Sequence, residues 1–212
     1  MLNGAAFGLF LSASILLAIT PGPGILYVLA RTLRGGRSEG LRSTVGTAVG
    51  GLFHVLAAAL GLSALLATSA LAFSLIKYMG AAYLIYLGLK MMLSTESAES
   101  AESTGLSHTE SLSQQAFRQG VITEALNPKT ALFFLAFIPQ FISSESSVFL
   151  QFVVLGSISV FLNTAADFIV VMLAGPIAGR LQSSERLRRA QHLVSGGALI
   201  ALGSYVALSE GA

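Results

Sequence analysis

The chain is organised by long apolar segments that short polar segments separate. Residues 1–30 contain no Asp, Glu, Lys or Arg, and residues 43–76 contain none either, with His54 in their middle. Shorter runs without charge follow at 78–89, 130–144, 146–166, 168–179 and 190–209. About 20 apolar residues form a helix that crosses the roughly 30 Å hydrocarbon core of a bilayer. The pattern therefore predicts transmembrane helices near residues 4–30, 43–67, 71–93, 117–142, 148–174 and 191–208.

Lys and Arg side chains are concentrated in three of the predicted loops. The loops after helices 1, 3 and 5 and their flanks hold Arg31, Arg34, Arg37, Arg42, Lys90, Arg118, Arg180, Arg186, Arg188 and Arg189. Because cytoplasmic loops carry an excess of basic residues, both termini are expected to face away from the cytoplasm. The uncharged N-terminal segment is not expected to be a cleaved signal peptide, because such a peptide begins with basic residues.

A polar segment at residues 94–116 divides the single transmembrane domain into two halves, 1–93 and 117–212. Ser and Glu dominate its first part, which is a composition typical of a mobile linker. Each half is expected to contain three helices.

The two halves share three features in the same order. Helices 1 and 4 are each interrupted by Pro, helices 2 and 5 carry His54 and Asp167 at similar places, and helices 3 and 6 contain Leu-Ile-x-Leu-Gly strings. Since three is an odd number of spans, the second half must enter the membrane from the opposite side. The pattern predicts an all-α integral membrane fold of six transmembrane helices in two inverted three-helix repeats, with helices 1 and 4 broken by Pro, as in many secondary transporters. Chance similarity between Leu-, Ala- and Gly-rich helices is the alternative.

Composition narrows the class of protein further. Of the 212 residues, 54% are hydrophobic and only 10% are charged, whereas about a quarter of a soluble domain is charged. A net charge of +2 provides no basic face that could follow the phosphates of a nucleic acid. The chain has no Cys, which excludes disulfides and thiolate metal sites. A membrane protein without cofactor or metal is therefore expected, rather than a soluble enzyme or a nucleic-acid binder.

Two interruptions by Pro are the first candidates for a substrate site. They consist of Thr20, Pro21, Gly22, Pro23 and Gly24 in helix 1, and of Asn127, Pro128 and Lys129 in helix 4. Pro lacks a backbone N–H and Gly lets the chain turn, so the backbone groups freed at membrane depth must line a cavity or meet protein partners. A helix that restarts at Pro128 with Asn127 as N-cap presents a positive end that suits a carboxylate. Two kinks that serve packing alone are the alternative.

Ionisable residues inside the predicted spans are the second group of candidates. A Lys or Asp at the centre of a transmembrane helix costs roughly 2.5–3.5 kcal/mol, so such residues are usually paired or functional. Lys129 and Asp167 are expected to pair across helices 4 and 5. The pair is either structural or opens when Asp167 takes a proton or a substrate ammonium. His54 is a second candidate for proton transfer, with a hydrogen-bonded core His as the alternative. Asn163 shares the helix face of Asp167, where it binds substrate or satisfies a neighbour.

Helix 3 contributes residues whose expected role is packing. Lys77 lies near its outer end, where the ammonium is expected to snorkel to the surface beside Tyr78. Small residues such as Gly46, Gly50 and Gly80 are expected to let helices approach closely.

Three motifs together resemble the LysE/RhtB family, which consists of bacterial inner-membrane exporters of amino acids and their derivatives. The matching positions, which cover essentially the whole chain, are Pro21 to Gly24, Lys77, Gly80, Tyr83, Gly88, Asn127 to Lys129, Pro139, Gln140 and Phe141. The resemblance implies efflux of a small zwitterionic or cationic metabolite, driven by the proton gradient. The Ser- and Glu-rich linker is a departure that says little about the substrate.

These residues favour a secondary exporter rather than an enzyme. The substrate carboxylate is expected at Pro128 and Lys129, the ammonium at unwound carbonyls near residues 21–24, and the transported proton on Asp167. No Gly-x-x-x-x-Gly-Lys-Ser/Thr motif is present, which argues against ATP-driven pumping. An exporter or channel for another small solute or ion is the alternative. The expected partners are an amino acid or derivative, the lipid bilayer and protons, and exposed Gly and Ala faces permit a homodimer.

Overall fold

The computed structural model describes residues 4–62, 70–93, 112–143, 145–183 and 185–208, and these ranges are helical apart from short turns. The helices are α1 (Gly4–Ile19), α2 (Pro23–Ala57), α3 (Ala70–Leu93), α4 (Leu112–Ala125), α5 (Pro128–Leu132), α6 (Val148–Ser183) and α7 (Glu185–Leu208). Two of them continue with altered winding, α2 as a π-helical turn (Ala58–Leu62) and α5 as a π-helical turn (Phe133–Phe137) followed by a 3₁₀ turn (Ile138–Phe141). The all-helical prediction is thus confirmed for the described part of the chain.

Both predicted Pro interruptions are present. The chain leaves the helix at Ile19 and re-enters it at Pro23, with Gly22 extended at φ −154°. At the second break, Asn127 is the N-cap of α5, and its side chain accepts a hydrogen bond from the backbone N–H of Lys129. The axes before and after this break differ by 41°.

Two helical segments of α2 meet at a non-helical residue, Gly36, inside the polar segment that was predicted as the loop between helices 1 and 2. Helical winding continues on both sides of Gly36, whose φ of +73° lies in the left-handed region that favours glycine. Arg31 and Glu39 lie on opposite sides of this kink, and Arg31 Nη1 lies 3.4 Å from Glu39 Oε2. This ion pair joins the two helical segments across the break at Gly36.

Other helices are also longer than predicted. The last five residues of the expected linker, 112–116, belong to α4, while 94–111 lie outside the described residues. The basic segment at 180–189, predicted as a loop, is helical on both sides of residue 184. Arg, Leu and Gln are good helix formers, so polarity alone does not end these helices.

Length and composition identify fewer spans than the sequence predicts. Pro23–Gly61 and Val148–Ala174 are long and apolar enough to cross a membrane, and Gln114–Ala125 with Pro128–Phe141 is a third span if the bent pair is counted as one. The apolar helices Gly4–Ile19 and Leu199–Leu208 are shorter. The arrangement of six spans in two inverted repeats stays a prediction.

Helix packing buries a cluster of aromatic side chains at the centre and leaves other large apolar side chains on the outer faces. α2 packs against α4 and α6, α3 packs against α7, and α1 packs against α6. Phe10, Phe133, Phe137 and Phe141 are buried together in the core. Large apolar side chains such as Phe161 face outward, as expected for a surface in contact with lipid.

Glycines at the helix contacts let backbones approach closely, as the sequence predicts for Gly46 and Gly80. A Cβ atom at Gly46 would overlap the backbone oxygen of Phe117 in α4, and one at Gly80 would overlap the Cβ of Ala136. Gly88 of α3 lies against Gly196 of α7 in the same way.

Candidate functional site

A buried polar pocket lies where the two helix breaks meet α6. Its lining combines small and apolar residues with five polar and three charged ones: Ala18, Gly24, Ile25, Thr47, Ala48, Gly51, Glu124, Asn127, Lys129, Thr130, Val160, Asn163, Thr164 and Asp167. The cavity volume is about 20 Å³, which is the space of about one water molecule. In this conformation the cavity is too small to hold an amino acid.

Lys129 donates hydrogen bonds to backbone oxygens at the C-terminal end of α1. Its Nζ donates hydrogen bonds to the backbone oxygens of Thr20 at 2.9 Å and Leu17 at 3.1 Å. In a continuous helix the Leu17 oxygen would accept from the N–H of residue 21, but Pro21 has none. The buried ammonium, on a residue that is 6% exposed, thus replaces a backbone donor that the Pro break removes.

The expected ion pair between Lys129 and Asp167 does not form among the residues that the structure describes. Both side chains line the pocket, but the ammonium is directed to α1 and Asp167 is bonded to α2. The prediction was wrong because the freed carbonyls at the first break compete for the Lys hydrogens, and a sequence pattern does not reveal which acceptor is nearer.

Asp167 is held by a hydroxyl group of α2. Its Oδ2 accepts a hydrogen bond from Thr47 Oγ1 at 2.8 Å, and the residue is 6% exposed. The Thr47 hydroxyl also lies 2.9 Å from the backbone oxygen of Thr44. One hydroxyl hydrogen can serve only one of these acceptors at a time, so Thr47 can donate to an ionised Asp167 or accept from a protonated one.

Glu124 is a third buried ionisable residue in the pocket, and the sequence analysis missed it. Its Oε2 accepts from Asn127 Nδ2 at 2.9 Å, and its Oε1 accepts from Thr130 Oγ1 at 2.6 Å. A Cβ atom at Gly24 would overlap Glu124 Oε2, so the glycine lets α2 approach this carboxylate. The signal was available, because Glu124 lies three residues before Asn127 inside the predicted helix 4.

His54 and Asn163 lie in different settings. Asn163 lines the pocket beside Asp167 and donates through Nδ2 to the backbone oxygen of Ser159 at 3.1 Å. His54 Nε2 lies 2.8 Å from the backbone oxygen of Glu124, and its ring packs 5.8 Å from that of Phe134. His54 is not part of the lining, and its contacts are those of a hydrogen-bonded core His.

The remaining residues of the two breaks surround Lys129 rather than the cavity. Thr20 contributes its backbone oxygen, and a Cβ atom at Gly22 would lie 3.0 Å from Lys129 Cε. Pro21 is buried, whereas Pro23 and Pro128 are exposed at the first positions of α2 and α5. None of these three prolines lines the pocket.

The residues predicted to serve packing lie away from the pocket. Gln140 donates to the backbone oxygen of Ala136, Pro139 and Phe141 are buried, and the ring of Tyr83 lies 5.8 Å from that of Tyr86.

Lys77 differs from its prediction. It is 3% exposed instead of extending to the surface, and its ammonium lies 5.5 Å from the centre of the Tyr78 ring, a distance typical of a cation–π contact.

Comparison with known proteins places this helical chain in a family. Residues 15–210 match the model of the LysE type translocator family. A Bacillus subtilis protein named "uncharacterized membrane protein YrhP" is 31% identical, with 94% of this chain and 97% of that protein aligned. A Vibrio cholerae "uncharacterized membrane protein" is also 31% identical over 87% of this chain and 88% of its own length.

A third relative carries a functional name. The "homoserine/homoserine lactone efflux protein" of Salmonella typhimurium is 27% identical, with 84% of this chain and 85% of that protein aligned. No solved structure matches the chain. Because the family model covers nearly the whole sequence, the chain belongs to the LysE-type translocators, a family of membrane transport proteins.

Proposed function

We propose that this chain is a secondary exporter that moves amino acids or amino-acid derivatives across the bacterial inner membrane in exchange for protons. The observation that carries the proposal is the small polar pocket in which Glu124, Lys129 and Asp167 are buried together between two broken helices. Buried ionisable groups in membrane helices are costly and usually functional. Membership of a translocator family and a relative named for homoserine efflux support the same function.

Asp167 is the proposed proton carrier. Both oxygens of Glu124 accept side-chain hydrogen bonds, whereas Asp167 has one donor, Thr47, among the described residues. Thr47 can bond Asp167 in either protonation state, so adding a proton does not leave a buried group without a partner. A proton that moves down the membrane potential releases about 2.3 kcal/mol of free energy per 100 mV, and this free energy is available to drive export. His54 then serves as a structural support for Glu124, not as a relay.

Alternating access is the proposed mechanism of movement. The pocket lies between breaks that belong to the two halves of the chain, as in transporters built from inverted repeats. Because the cavity holds about one water molecule, it must widen before a substrate can bind in it. In this proposal six spans cross the inner membrane, both termini face away from the cytoplasm, and the glycine kink at Gly36 is a place where α2 can bend.

Efflux from cells loaded with homoserine-containing dipeptides tests this function. Intracellular peptidases release homoserine, and its appearance in the medium is compared for cells that express the wild type, Asp167→Asn or Glu145→Gln. Glu145 is an exposed carboxylate outside the pocket, so its variant is the matched control. We expect export by the wild type and the control but not by Asp167→Asn, at equal amounts of protein in the membrane. Absence of export of any amino acid by the wild type would contradict the proposed substrate class.

A further inference from the structure

The pocket is lined by more negatively charged side chains than positively charged ones. Glu124 comes from α4, Lys129 from α5 and Asp167 from α6, while the titratable residue of α2 nearest to them, His54, contacts the backbone of Glu124 behind the lining. Two carboxylates and one ammonium leave one negative charge when all three are ionised. A single proton or a single cationic ligand restores neutrality, which a buried site strongly favours.

Most of the hydrogen-bonding capacity of the Lys129 ammonium is used within the protein. Two of its three hydrogens bond to the backbone oxygens of Leu17 and Thr20. If a substrate carboxylate took these hydrogens, the buried Thr20 oxygen would lose its donor and the Leu17 oxygen would keep only the N–H of Thr20 at 3.2 Å, which is an unfavourable exchange. This geometry argues against the expectation that Lys129 binds the carboxylate of the substrate.

The Asp167 carboxylate on α6 is more available to bind a substrate than the Lys129 ammonium. Asp167 Oδ2 accepts from Thr47, and the residue has no other hydrogen-bond partner among the described ranges. The Asn163 side chain lines the pocket one turn earlier and uses its Nδ2 on Ser159, so its Oδ1 is an acceptor on the same face. A carboxylate and an amide oxygen side by side are suited to the hydrogens of an ammonium group.

We infer that the pocket binds its substrate through the ammonium group at Asp167 and Asn163, and that it favours amine cations without a free carboxylate over the corresponding zwitterions. This inference rests on the proposed export function. The favoured substrate class is the amides, esters and lactones of α-amino acids. The pocket with a bound substrate cation then carries the same net charge as the empty pocket with one added proton. Each substrate ammonium group can therefore be exchanged for one proton.

Binding to the purified full-length protein in detergent tests the inference with three probes of the same side chain. They are L-homoserinamide, L-homoserine and N-acetyl-L-homoserinamide, measured by calorimetry at pH 6, where the free amines are protonated. The amide and the acid have the same shape and differ in the carboxylate charge, while the acetylated probe lacks the ammonium. The expected result is that the amide binds at least about tenfold more tightly than the acid, and that the acetylated probe does not compete.

Variants assign the effect to the residues. Asp167→Asn and Asn163→Leu should each weaken binding of the amide, and the preference for amide over acid should disappear in Asp167→Asn. Glu145→Gln should bind all probes as the wild type does. Equal or tighter binding of the acid would overturn the inference, although export of homoserine by the same protein would leave the proposed function intact. If neither amine probe binds and cells export no homoserine, the proposed function fails together with the inference.

Discussion

The break between α1 and α2 and the break between α4 and α5 both interrupt a helix at Pro, but they satisfy their backbone groups in different ways. The second break is self-contained, because Asn127 caps α5 and bonds Glu124 within the same segment. At the first break the Thr20 hydroxyl donates to the Leu16 oxygen within the same segment, but the oxygens of Leu17 and Thr20 take a donor from Lys129 across the pocket. The two halves of the chain are therefore similar in backbone and different in chemistry. The first contributes backbone acceptors and the Thr47 hydroxyl, and the second contributes the charged side chains.

Removal of the shared ammonium should have the largest effect on this arrangement. In Lys129→Met the Thr20 carbonyl loses its buried donor and the Leu17 oxygen keeps only the N–H of Thr20, so the free energy of unfolding should fall by about 2 kcal/mol. Homoserine export should fall by about 100-fold, because the first break no longer keeps its position relative to the second. Thermal unfolding followed by far-UV circular dichroism and efflux measurements check the two effects. Lys90→Met, at an exposed position near the end of α3, is the control, and equal stability of both variants would contradict the role of Lys129.

A methyl group at Gly24 should disturb the contact between the two breaks without unfolding the protein. The Cβ of Gly24→Ala would overlap Glu124 Oε2, which is the far end of a flexible side chain, so the carboxylate should move and lose its bond to Asn127. We expect a change in stability below about 1 kcal/mol, because the extra methyl displaces only one side chain. Export should fall by about tenfold or more, since one charge-assisted hydrogen bond is lost.

Gly8→Ala is the matched control, since a Cβ at Gly8 has no atom within 4 Å. A Gly24→Ala protein that exports like this control would show that the position of Glu124 does not matter.

Loss of the hydroxyl at Thr47 should have an intermediate effect. Thr47→Val keeps the shape of the side chain but removes the group that bonds Asp167, so the exchange rate in proteoliposomes should fall by about tenfold, as expected for one hydrogen bond to a charged group. Thr47→Ser should restore most of the rate because it keeps the hydroxyl. If the Val variant is as active as the wild type, the Thr47 hydroxyl has no part in the protonation of Asp167.

Replacement of His54 should have the smallest effect. His54→Gln keeps a side-chain donor for the Glu124 backbone oxygen, so export should stay within about twofold of the wild type. His54→Ala should lower stability by about 1 kcal/mol, because the buried carbonyl loses its partner. A complete loss of proton-driven export in the Gln variant would restore His54 as a proton relay.

Sequence alone predicted the local features of the site better than its contacts. The N-cap at Asn127, the start of α5 at Pro128 and the break at residues 20–22 all depend on properties of single residues, and they form where predicted. The partner of Lys129 could not be read in this way, because it is a backbone oxygen more than 100 positions earlier in the chain.

The exact position and length of the break between helices 1 and 2 could not be predicted either. The basic residues indicated a polar segment there, but not that the non-helical backbone would be confined to Gly36 or that Arg31 would pair with Glu39 across it. Glu124 is a different case. It was missed, although its position within a predicted transmembrane helix would have been enough to identify it as a candidate.

The central claim is that Asp167 couples substrate to protons, and one measurement tests it most directly. Purified protein is reconstituted in liposomes that contain a pH-sensitive dye, and proton movement is followed after homoserine is added on one side. The wild type should move protons opposite to homoserine. Asp167→Asn should exchange labelled for unlabelled homoserine more slowly than the wild type, because the ammonium site is weakened, and should produce no proton movement. Proton movement by Asp167→Asn at the wild-type ratio to substrate would contradict the account.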